Sequence, residues 1–171
     1  MTGVTYLDNI MYVVCAGCST ICLYNTDTYC PLDQVLEVDG MQDPTDIVAC
    51  LHDRDVVFTD DGSPMDSISA VYIADWDSGS PCIWRTSVDS QFSERFLTNA
   101  AIDHVETLSV TSGCLLVTSR HSLKQYNTTN KQQLRIIELP QTMQLCHGVE
   151  TARQTFVVGY RTSLWQYGVT I

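Results

Sequence analysis

No apolar run in this 171-residue chain reaches bilayer length: the longest, such as Ile10 to Cys15, are strand-sized, against the roughly 18 to 20 residues a membrane helix needs. A membrane span is therefore not expected. Basic residues are scarce too, with Lys+Arg at 9 against Asp+Glu at 20 and a net charge of -11 at pH 7. Phosphate neutralisation needs a basic surface that this balance does not supply, so nucleic acid is not expected as a partner and a basic or neutral protein is. Nor does any segment sustain the three-and-four spacing of an amphipathic helix, which predicts very little helix. The opening MTGVTYLDN has no basic stretch followed by an apolar one. As written the chain reads as cytoplasmic; a signal peptide ahead of it would make it extracellular.

What is present fits one folded unit with a real core, at 44% apolar and 17% charged residues. The 8 cysteines do not form the framework of a small secreted domain, and reduced, mostly buried thiols are expected. Five of them, Cys18, Cys50, Cys82, Cys114 and Cys146, recur every 32 residues, but their flanks share no pattern of strand and turn. Asn127-Thr128-Thr129 satisfies the glycosylation sequon, which matters only in a secreted chain.

A second period does carry structure. The segments ICLY (21–24), CIWR (82–85), LKQY (123–126) and LWQY (164–167) close on Tyr24, Arg85, Tyr126 and Tyr167, spaced 61, 41 and 41 residues apart. The period is about 41 with one insertion, the spacing of propeller blades built from short strands. Four blades follow: 3–41, 45–98 with a surface insertion over 54–69, 106–139, and 147–171 without its outer strand. Asp8-Asn9 and Ala16-Gly17 supply turn chemistry in the first. The run MYVV (11–14) suits a strand covered on both faces by neighbouring blades.

The stretch VYIADWDSGSPCIWRTSVDS (71–90) resembles the hairpin of NHL-type and YWTD-type six-bladed propeller repeats, with an acidic turn at Asp75-Trp76-Asp77 between two apolar strands. The resemblance covers the whole chain at the level of repeats and is sharp in this blade alone. It implies an all-β β-propeller of four-stranded antiparallel blades. Six blades at this spacing need about 246 residues, so the ring is expected to be open or incomplete, with blades missing or supplied by an oligomer.

Several residues could carry chemistry. Cys15, Cys18, Cys22 and Cys30 fall within sixteen residues, but the plainer reading is of thiols on a strand pair, and no metal or cofactor is expected. A propeller gathers its outer-to-inner crossings and its second-to-third-strand turns at one end. Asp46, His104 and His147 belong to the crossings; Asp75, Trp76, Asp77, Arg120 and Arg161 belong to the turns. That polar, mixed-charge rim is expected to bind a protein, with Trp76 as anchor, so the chain reads as a scaffold. The competing reading is a metal-dependent propeller hydrolase of the lactonase type acting on a small molecule, with Glu106 and Glu150 beside His104 and His147.

Overall fold

The computed structural model of the chain describes residues 1–53, 68–77, 79–88, 92–98, 101–102, 104–111, 113–119, 121–139, 146–151, 155–160 and 163–168. The regular structure among them is β-strand throughout. Strands β1 (Gly3–Leu7), β2 (Ile10–Val14), β3 (Thr20–Asn25) and β4 (Pro31–Glu37) pair antiparallel in sequence order as a first sheet. A second sheet holds β5 (Pro44–Asp53), β6 (Ile68–Asp77), β7 (Ser80–Ser87) and β8 (Ser93–Leu97). The third holds β9 (Val105–Thr111), β10 (Cys114–Ser119), β11 (Ser122–Asn127) and β12 (Gln133–Glu138). Three further strands, β13 (Cys146–Thr151), β14 (Thr155–Tyr160) and β15 (Ser163–Gly168), form the fourth.

The first strand of each sheet lies against the first strand of the next, β1 on β5, β5 on β9 and β9 on β13, so the sheets succeed one another around a common side. Among the described residues the succession does not close into a ring. Close approach is built into the first contact: a Cβ added at Gly3 would lie 2.9 Å from the Ile47 nitrogen. Side chains alternate between the two faces of a strand, and the second sheet uses both. Val71, Ile73, Cys82 and Trp84 join Tyr12, Val14, Ile21, Leu23 and Leu36 in one core. Tyr72, Ala74 and Ile83 join Leu108, Leu115, Val117 and Tyr126 in another. Residues Val71 to Ala74 are completely buried for this reason, and the middle of β6, Ala70 to Ala74, reads as an unbroken apolar run.

The outward face of the first sheet has the same apolar character but is exposed. Val4, Tyr6 and Val35 are 48%, 75% and 46% accessible, and Val4, Tyr6, Met11 and Tyr29 line a shallow groove there. Thus Tyr12 and Val14 in MYVV are buried against the second sheet, while Met11 is half-buried on the open side.

Turn chemistry sets the registers. Asp8 and Asn9, at φ 49° and 63°, form the two-residue connection between Leu7 and Ile10, the left-handed pair that a type I′ hairpin requires. Each third-to-fourth-strand pairing in the first three sheets shifts register, between Cys22 and Tyr24 in the first, and by one residue next to Trp84 and Tyr126 in the second and third, an irregularity that strengthens twist. The turns beyond β3 and β11 are copies of one another. Asn25 accepts hydrogen bonds from the Asp27 and Thr28 amides, as Asn127 does from those of Thr129 and Asn130.

Three details differ from the sequence reading. Residues Asp75 to Asp77 are not a turn: they continue β6 and pair with Cys82, Pro81 and Ser80, leaving Gly79 at φ 85° to make the reversal. Arg85 does not share a face with Tyr126 either. Its cross-strand neighbour Tyr72 faces the third sheet, whereas Tyr126 faces the second. The residue equivalent to Tyr126 is Trp84, which pairs with Ile73 as Tyr126 pairs with Leu115. A one-residue offset changes face because the side-chain period is two. Strand β6 also begins at Ile68, inside the expected insertion, and residues 54–67 of that insertion lie outside the described residues.

Candidate functional site

Antiparallel order carries each crossing between sheets to the end where the second and third strands of the sheets turn. Contacts run along this end from sheet to sheet. The Gly17 amide, in the β2–β3 turn, donates to Asp43 Oδ1 at 3.2 Å. Asp43 lies in the crossing from β4 to β5; its amide donates to Asp75 Oδ1 at 2.7 Å, and its carbonyl accepts from the Trp76 amide at 3.1 Å. The Trp76 ring meets the His104 ring edge-on, with centroids 5.0 Å apart, at the crossing into β9. His104 Nε2 in turn lies 3.2 Å from Glu106 Oε1, an ion pair when the imidazole is protonated.

The alternation along β6 separates its polar residues by role. Asp75 points inward and is 2% exposed. Its carboxylate accepts from the Gln42 and Asp43 amides and, at 3.0 Å, from Trp84 Nε1, with Cys82 Sγ at 3.8 Å. A buried carboxylate needs such donors to offset its lost hydration. Trp76, next in sequence, takes the other face and is half-buried. Asp46 is occupied as well: its Oδ2 accepts from the Leu108 amide at 2.8 Å, tying β5 to β9. Thr5 does the same one sheet earlier, its hydroxyl accepting from the Ala49 amide at 3.0 Å.

Of the expected rim residues, the structure therefore brings Trp76 and His104 together, with Glu106, which the sequence set beside His104 in the competing hydrolase reading, against the imidazole. It places Asp75 within the second sheet and Asp46 between the second and third. Asp77 ends β6 and His147 lies in β13; Arg120 and Arg161 fall outside the described residues. Cys15 and Cys22 are half-buried and Cys18 and Cys30 exposed, all as free thiols. Among the described residues no three His, Cys, Asp or Glu side chains are grouped to hold a metal ion. No described helix is long and apolar enough to cross a membrane.

Successive four-stranded antiparallel sheets, stacked through their first strands, define a propeller-like all-β fold. Solved structures agree. Among 45 solved chains that match, the N-terminal domain of Nup159 aligns with a TM-score of 0.50 at 10% sequence identity, over 97% of this chain and 42% of that one. The chain thus spans less than half the length of that neighbour, and at this identity the likeness concerns the fold alone. No family model matches the chain, and no curated protein matches it.

Proposed function

We propose that the chain is a protein-binding scaffold of the NHL or YWTD propeller type, with blades repeating about every 41 residues, that recognises a basic or neutral protein through the end where its crossings and turns meet. The observation that carries this reading is the contact between Trp76 and His104. An aromatic ring held at a sheet boundary, half-buried and backed by a second ring, is a preorganised anchor of the kind that dominates protein interfaces. Glu106 beside it supplies the negative charge that a basic partner would meet. In this reading Asp46 and Asp75 hold the backbone that presents the anchor, while Asp77, Arg120, His147 and Arg161 complete the rim.

The test is chemical cross-linking in cell extract with the wild-type chain, Trp76→Ala, and Tyr6→Ser on the outward face of the first sheet. A protein cross-linked by the wild type and by Tyr6→Ser should fall at least about tenfold with Trp76→Ala, the loss expected of a central aromatic contact. Melting temperatures measured alongside separate lost binding from lost folding. Equal recovery with all three proteins removes Trp76 as the anchor.

A further inference from the structure

The β2–β3 connection, Cys15-Ala16-Gly17-Cys18, is a dithiol turn. The Cys18 amide donates to the Cys15 carbonyl at 3.2 Å, and Gly17 has φ 72°, the left-handed conformation that a type II turn demands at its third residue. A turn so closed brings its first and fourth Cα atoms within about 7 Å, and a disulfide joins Cα atoms about 4.4 to 6.8 Å apart. Both thiols are free; Cys18 is exposed and Cys15 half-buried. The neighbouring thiols are out of range. Cys22 is four residues along from Cys18, roughly 13 Å of extended chain. It sits opposite Val13, two residues before Cys15, which leaves Cys15 and Cys22 roughly 8 Å apart or more. Cys30 lies beyond the far end of β3, after the Asn25 turn.

We propose that Cys15 and Cys18 are a reversible redox pair that exchanges with small disulfides of the glutathione class. The exposed Cys18 thiolate attacks a sulfur of glutathione disulfide, forming a mixed disulfide and releasing one glutathione. The Cys15 thiolate then attacks the Cys18 sulfur and expels the second glutathione. Two protein thiols are oxidised to one disulfide, one glutathione disulfide is reduced to two thiols, and the two protons pass to the departing glutathiones. The turn that closes is the one whose Gly17 amide holds Asp43, so the pair belongs to the end of the molecule where the sheet crossings lie.

The full chain is equilibrated in glutathione buffers graded from reduced to oxidised, quenched in acid, alkylated, and cleaved after aromatic residues to release the segment 13–24. Cys15 and Cys18 should leave the alkylated pool together, joined within that segment, and return on treatment with dithiothreitol, while Cys22 and Cys30 stay alkylated at the midpoint of the transition. In Cys15→Ser, Cys18 should carry glutathione instead; Cys18→Ser provides the reciprocal variant. The proposal is overturned if the wild-type pair stays alkylated across the series, if each cysteine carries glutathione without a link between them, or if either is joined to another cysteine.

Discussion

Trp84 donates its indole N–H to the buried carboxylate of Asp75 at 3.0 Å, and the same carboxylate receives the amides of the crossing from the first sheet. One side chain thus fixes a hairpin and the connection that enters its sheet. In Asp75→Ala the Gln42 and Asp43 amides and the Trp84 indole lose their acceptor, and each stranded donor costs about 1 to 3 kcal/mol. A loss of roughly 3 kcal/mol or more is expected in urea unfolding. Trp84→Phe strands no amide and should cost about half as much.

Gly3 is required by its neighbours. A Cβ there meets only backbone, Ile47 N at 2.9 Å and Asp46 Cα at 3.0 Å, and backbone can yield only by shifting β1 on β5. Gly3→Ala should destabilise by about 1 to 3 kcal/mol, although alanine is the better strand former. Thermal unfolding against a Val4→Ala control, at the exposed neighbour on the outward face, measures it.

The paired outer turns allow a test of independence. Asn25→Ala and Asn127→Ala each remove an acceptor from two backbone amides and should each cost about 1 kcal/mol. The two turns share no partner, so the double variant should lose the sum to within about 0.5 kcal/mol. A larger coupling in chemical denaturation means that the first and third sheets communicate through the second.

Tyr126 donates to the Ala101 carbonyl at 2.6 Å from a buried position, but that carbonyl also receives Lys124 Nζ at 3.3 Å. Tyr126→Phe therefore leaves no orphaned acceptor and should cost only about 1 kcal/mol. Tyr6→Ser, on the outward face of the first sheet, should change stability by less than about 0.5 kcal/mol. Comparing their melting temperatures distinguishes a face packed between sheets from one that water wets.

Strand positions and hairpins were legible because local chemistry dictates them: Asp8-Asn9, Gly17 and the apolar runs each act within a few residues. Asp75 was not. An acidic residue between apolar strands reads as a turn because carboxylates are rarely buried, and its burial depends on amides 32 and 33 residues away. The repeat column through Arg85 failed for a related reason. Spacings of 41 favour Arg85, but the register between strands decides which face a residue takes, and it selects Trp84. The meeting of Trp76 with His104 was legible only in part: the two were expected on one rim, but their contact depends on how the second and third sheets pack. The matched Asn-Thr pairs at 25–26 and 127–128 are visible in the letters, whereas their equivalence as turns rests on the amides that each Asn receives.

The buried carboxylate also bears on the order of folding. Asp75 gains its donors only when β7 has brought Trp84 alongside and the 42–43 segment has arrived, so docking of the first sheet on the second is expected to follow formation of the hairpin. Asp75→Asn should then leave the refolding rate nearly unchanged and speed unfolding, the kinetic signature of an interaction absent from the transition state. Stopped-flow chevrons would reveal this as a change confined to the unfolding limb.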